Sequence, residues 1–415
     1  MMRRYLYIFA SALLLLSCTD DSYRGTVDID GVSDEPMPVI VVVGNPDNMF
    51  ISKGSGAIDS ETEVWKNAPI YVYSFRKDMN TSFDLTSSEN PVECLVDGSR
   101  DRNGAMSGKM ARIGELDSYV TWEGPEEAVY YPFNTEPYDF YAYYIDDMEI
   151  SDTDFDRTTD EISFPVEIDG SQDLMSAKAS LLDEQLDNSG YTDEDKANIA
   201  NYAYSAYTAA LNIQPVIYFK HHLVRLRFDV YPGFDETTGK KIYVDRIEVR
   251  SKTRGVFTVA SRSADRMGVD FSGDDRSVGE RPLLALKDRG GAELQSVELP
   301  YVEDGIGMEN VYEGTPVRIG ESLLVAPDTE YQVVLTLTEV LESGRSIQNR
   351  SVTYLRTGSG SSFLPGNQYT VRFAVYGVTE VQTSVTLTPW GDGGSLDIGH
   401  DRPPVETMTG WNSMK

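Results

Sequence analysis

Apolar and polar residues alternate with a period of two along most of this chain. Val224, Leu226, Phe228 and Val230 fall on one face of an extended run, and Arg225, Arg227 and Asp229 on the other. Tyr331, Val333, Leu335 and Leu337 keep the same rhythm, as do Tyr369, Val371, Phe373 and Val375. Further strands are predicted at Ile70 to Phe75, with Tyr71, Tyr73 and Phe75 on one face, at Tyr119 to Trp122 and at Tyr138 to Ile145. The second half adds Ile242 to Val249, Val297 to Tyr301, Ser322 to Val325, Gln348 to Tyr354 and Ser384 to Leu387. Gly, Pro, Asn and Asp punctuate these runs, and the tyrosines of the Tyr138 strand read as packing with their hydroxyls at a rim. One long helix is predicted from Thr192 to Asn212, capped by Thr192, acidic in its first turn, and closed by Pro215. Short strands without intervening helices predict an all-β chain with one or two helices, arranged as two antiparallel β-sandwich domains. The turn Tyr231-Pro232-Gly233-Phe234-Asp235 divides them into 37–235 and 236–400, with any boundary from Ile213 to Gly239 workable and a polar tail at 401–415.

The N-terminus departs from this rhythm. Arg3 and Arg4 precede an apolar stretch, Tyr5 to Leu16, that ends in Leu15-Leu16-Ser17-Cys18. A basic head, a short apolar core and a small residue at the cut describe an export signal over residues 1–17, too short for a membrane span. Cysteine after Leu-Leu-Ser resembles the lipobox of bacterial lipoproteins, which implies cleavage before Cys18, acylation on it, and an outer-membrane lipid anchor. An acidic leader, 18–36, follows. Then come five consecutive β-branched residues, Val39, Ile40, Val41, Val42 and Val43, bounded by Pro38 and Gly44, which predict one strand.

Charge and reactive residues narrow the function. A net charge of −31 over 415 residues repels nucleic acid and anionic lipid. Of two cysteines, Cys18 is taken by lipid, which leaves Cys94 as a small buried hydrophobe with no intrachain disulfide to make. Asp152, Asp154 and Asp156 alternate like the opening of a calcium loop, but Arg157 stands at the sixth position and Ser163 at the twelfth, so the run reads as a solvated acidic loop. His221 and His222 are neighbours on a strand and point apart, and His400 lies beyond the last strand. No nucleophile elbow, zinc-protease or phosphate-loop motif occurs, so no catalytic residue, metal or cofactor is predicted.

Five stretches, in this order, carry a likeness to a known family. They are the lipobox at Cys18; Ile51-Ser52-Lys53-Gly54 with Trp65 and Ile70-Tyr71-Val72-Tyr73-Ser74-Phe75; Tyr130-Tyr131-Pro132 with Tyr138 to Tyr144; Gly170-Ser171-Gln172-Asp173-Leu174-Met175 leading to Phe219-Lys220-His221-His222-Leu223; and Pro365-Gly366-Asn367-Gln368-Tyr369 with Trp390-Gly391-Asp392-Gly393-Gly394. The chain resembles the fimbrillins, subunits of type V pili in Gram-negative anaerobes. The resemblance implies a transthyretin-like C-terminal sandwich and a cell-surface role in fimbriae or adhesion, with other fimbrial subunits as partners. It also implies proteolytic removal of the leader with its first strand, after which a neighbouring subunit's C-terminal strand fills the groove. Cleavage in that family follows arginine. Here Arg24 precedes the strand, and Lys53 alone follows it before Trp65. The tail, with Pro403-Pro404 and few apolar residues, is a poor donor by propensity. The alternative is a monomeric surface lipoprotein that binds a glycan or protein ligand on host or bacterial surfaces through its aromatic loops.

Overall fold

The computed structural model describes residues 36–43, 68–77, 82–84, 94–98, 106–114, 119–123, 128–146, 148–187, 189–234, 238–288, 291–302, 312, 314–357, 361–389 and 407–408. In chain order, the first part carries β1 (Val42–Val43), β2 (Pro69–Arg76), β3 (Cys94–Val96), β4 (Lys109–Ile113), β5 (Val120–Trp122), β6 (Tyr138–Ile145), β7 (Asp156–Arg157), β8 (Glu161–Glu167) and β9 (Leu174–Lys178). Helices α1 (Asp183–Leu186), α2 (Asp193–Asn201) and α3 (Ala206–Ala210) follow, then β10 (Val216–Ile217), β11 (Lys220–His221) and β12 (Val224–Pro232). The remainder is β13 (Lys240–Arg250), β14 (Arg254–Ser261), β15 (Gly268–Asp270), β16 (Leu283–Ala285), β17 (Val297–Glu298), β18 (Val317–Arg318), β19 (Leu323–Val325), β20 (Glu330–Leu341), β21 (Ser346–Arg356), β22 (Asn367–Gly377), β23 (Glu380–Pro389) and β24 (Thr407–Met408).

The fold is all-β. A seven-stranded sheet, ordered β11-β9-β6-β2-β4-β5 with β3 beside β2, forms the middle layer of the first part. Both of its faces are covered, which is why β6 is apolar or aromatic at every position but Asp139. Tyr138, Phe140, Ala142 and Tyr144 face a core shared with Val39, Val41, Val43 and α3. Tyr141 and Tyr143 face the opposite core, which is closed by the sheet β15-β14-β8-β7 through Phe164 and Phe257. The tyrosines of β6 are packing residues, as expected, and Cys94 is buried in β3. The second part is a sandwich of two sheets, β18-β12-β22-β23-β24 with β19 on β12, and β16-β13-β20-β21 with β17 on β13. The inward positions of the period-two runs meet there: Phe228 and Phe373 stack at 6.3 Å, and Tyr331, Phe363 and Tyr369 cluster nearby.

Four expectations are corrected. The helix over 192–212 is two helices. Tyr204 adopts φ +60°, and Ser205 starts α3 with its own capping box, its N–H donating to Thr208 Oγ1 at 3.0 Å. The break lets α2 bury Ile199 in one small cluster while Tyr204 and α3 pack on the sheet, with Tyr204 edge-on to Phe140 at 5.9 Å. Pairing is not wholly antiparallel: β12 runs parallel to β22 and β1 to β10, each pair separated by the long connection that parallel strands require. The boundary at 235 does not separate the cores. β12 belongs to the second core, and β14, from beyond the boundary, pairs with β8 from before it.

The acidic run is more than a solvated loop. Asp152 Oδ1 accepts from the Met106 N–H at 2.9 Å, and Arg157 turns inward. Its guanidinium makes a two-pronged pair with Asp97 at 2.8 and 3.0 Å, donates to the Met106 carbonyl, and lies 5.1 Å over the Tyr73 ring. A buried cation therefore occupies the position where a calcium loop needs glycine.

Candidate strand-insertion site

Residues 36–43 lie in a slot on the first core. Val39, Val41 and Val43 point in and are buried, while Ile40 and Val42 are half-buried. In an extended chain, odd residues also direct their N–H and C=O groups to one edge and even residues to the other. The odd edge meets residues 119–131. The Met37 carbonyl accepts from Tyr131 N–H at 2.9 Å, Val39 N–H donates to the Val129 carbonyl at 2.7 Å, and the Val41 carbonyl accepts from Val120 N–H at 3.0 Å. Pro38 and Val42 form antiparallel bridges with Tyr130 and Tyr119. On the even edge, Val42 N–H donates to the Pro215 carbonyl at 3.0 Å, and β1 runs parallel to β10. The segment is thus held along both edges.

The five-residue strand expected here is regular only at Val42–Val43. Its odd-edge partner changes between Val39 and Val41, because 129–131 serves one end and 119–120 the other. At that change the Val39 carbonyl takes the indole N–H of buried Trp122 at 3.2 Å. Sequence reading placed Trp122 only at the end of a strand. It also missed Val129 and Pro215 as walls, although the Tyr130-Tyr131-Pro132 motif lies beside one of them. Tyr119, Tyr130 and Phe133, half or more exposed, stand along the odd edge, and Tyr218 follows β10. Cys18, Arg24 and Lys53 lie outside the described residues, as do His400, Trp65 and Trp390 to Gly394.

The histidines take separate structural partners. His221 Nδ1 and Asp173 Oδ2 are 2.8 Å apart. His222 Nε2 bonds to Ser176 Oγ at 2.8 Å, and its ring packs on Phe257 at 5.5 Å. Burial pushes the His222 pKa down to about 4, so this imidazole is neutral at pH 7. Among the described residues, no group of three or more His, Cys, Asp or Glu is placed to hold a metal ion.

The fimbrillin-like family model matches residues 103–390, well over half of the chain. The chain belongs to the fimbrillin-like family. The match takes in the odd-edge wall, β10 and the second sandwich except β24. Solved structures similar to this fimbrillin-like chain include a fimbrial protein from Bacteroides vulgatus ATCC 8482, 12% identical with a TM-score of 0.44, covering 86% of this chain and 100% of that one. The fimbrial anchor protein Mfa2 from Porphyromonas gingivalis is 12% identical with a TM-score of 0.28, covering 86% and 99%. The tip fimbrial protein Mfa3 from the same organism, with a C-terminal truncation, is 7% identical with a TM-score of 0.29, covering 85% and 100%. No curated protein matches the chain.

Proposed function

We propose that this protein is a structural and adhesive subunit of cell-surface fimbriae, exported as a lipoprotein acylated at Cys18 and joined to other subunits by exchange of the strand at residues 37–43. The observation that carries this reading is the slot. A separate N-terminal segment fills a groove in the core and is hydrogen-bonded on both edges. Its loss leaves unpaired backbone groups and an apolar trough, which a strand from another subunit satisfies.

The register also changes what a donor must look like. Only alternate positions enter the core, so a donor needs three small β-branched residues, not an apolar run. Pro404-Val405-Glu406-Thr407-Met408-Thr409-Gly410 repeats the frame of Pro38 to Gly44, with Val405, Thr407 and Thr409 at the inward positions. That pattern favours the tail as a donor despite its poor average propensity. Cleavage at Lys53 releases the segment, whereas cleavage at Arg24 removes the lipid and leaves the segment in place. We assign the protein no catalysed reaction.

Native membranes test this directly. Polymers that survive detergent at room temperature and fall to monomers on boiling are expected, and an acyl mass on Cys18 is expected in the unprocessed form. Cys18→Ala should shift the chain to the soluble fraction or block its processing. A sharp monomer under all conditions would favour the second reading, a surface binder, for which the exposed Tyr119, Tyr130 and Phe133 are the ligand-facing side chains.

A further inference from the structure

The slot's two neighbours run in opposite directions relative to the segment, antiparallel on the 119–131 edge and parallel on the β10 edge. A strand inserted backwards would meet one parallel and one antiparallel neighbour as well, so topology alone does not choose a direction. Side chains choose poorly too, since Val39 to Val43 are all β-branched and either end could enter first.

We infer that Trp122 is the positioning residue that fixes where, and in which direction, a strand lies in this slot. The backbone ladder on the odd edge has a gap between Val129 and Val120, and the indole N–H fills it by donating to the Val39 carbonyl. An indole nitrogen only donates, so at that point the slot accepts a C=O and refuses an N–H. On the N-terminal side of the same residue, the Val129 carbonyl only accepts and takes the Val39 N–H. Residue 39 is therefore bracketed by an acceptor on the side of Pro38 and a donor on the side of Ile40. Within any residue the N–H precedes the C=O along the chain, so a single residue meets both only in a forward strand, and a backward strand would have to reach the same two points with the more widely spaced groups of residues two apart. Trp122 can hold this place because it is buried in the same core as Val39 and fixed on β5, where it pairs with Ala111. The hold on the resident segment stands without strand exchange. The reading of an incoming strand's direction rests on the exchange proposed above.

The test replaces Trp122 with benzothienylalanine, which keeps the ring shape and loses the N–H; Trp122→Phe is the second variant. In the uncut chain, amide exchange at Val39 to Val43 should speed by roughly three- to tenfold, the worth of one hydrogen bond, while β2 and β6 keep their protection. In chain cleaved at residue 53, a peptide copying residues 37–44 with a photocrosslinker at its first residue should mark 129–131 in the wild type. In the variant it should mark both ends of the slot. Unchanged exchange in the uncut variant, or crosslinks still confined to 129–131, overturns the role of Trp122. A peptide that binds neither protein while exchange speeds in the uncut variant removes the strand-exchange reading and leaves Trp122's hold on the resident segment in place.

Discussion

At the scale of single residues, two buried groups set measurable behaviour. Arg157 and Asp97 are 3% and 0% exposed at their side chains, so each is desolvated and depends on the other. Breaking the pair by Asp97→Asn or Arg157→Met should cost about 3–5 kcal/mol in urea denaturation, while the double replacement Asp97→Leu with Arg157→Met should cost much less than the sum. His222 acts through its neutral form. The unfolded chain takes up its proton below about pH 6.5 and the folded chain only near about pH 4. Stability from this group is therefore complete above pH 6.5 and lost as pH falls through the window from 6.5 to 4, by about 1–3 kcal/mol. His222→Gln should flatten denaturation midpoints across that window. Asp274 has the same sign at lower pH: the Arg276 guanidinium that donates to it holds its carboxyl well below the usual range, so its contribution is lost only as pH falls below the His222 window. None of these partners was legible beforehand. Asp97 and Arg157 are sixty residues apart, and nothing local marks either as buried.

At the scale of elements, strands were legible wherever one period persisted. The predicted Tyr138 to Ile145 strand has the observed bounds, because seven apolar or aromatic positions out of eight, with one Asp, signal a sheet buried on both faces. The helix at 192–212 misled because its alanine content and spacing are helical throughout, while the break depends on Ser205 capping a second helix and on Tyr204 finding Phe140. The N-terminal run was legible as a strand, and its alternating depth was not, since all five residues are β-branched. That depth makes a prediction. Val41→Ala should destabilise the chain by about 2–3 kcal/mol and Ile40→Ala by less than about 1 kcal/mol, read from unfolding midpoints. Val41→Asp should expel the segment, which limited proteolysis of residues 36–43 would report. With three inward valines, losing the segment costs about 5–9 kcal/mol, comparable to a domain's whole stability.

At the scale of the molecule, alternation announced two β-rich bodies, but not how the chain divides between them. β8 and β14 pair across the turn at 235, and such long-range pairing has no local sequence mark. The candidate site was half legible: Val39 to Val43 stood out as a lone apolar run, whereas its walls at 119–122, 129–131 and 215–217 come from segments distant in sequence with no shared motif. The central claim is that this segment is a removable strand whose loss drives assembly. Cleavage at Lys53, followed by size-exclusion chromatography, tests it most directly. The cut chain should lose the segment and pass from monomer to oligomer, Lys53→Gln should block the passage, and an added peptide copying residues 37–44 should slow it. A cut chain that releases the segment and remains a folded monomer would contradict the claim.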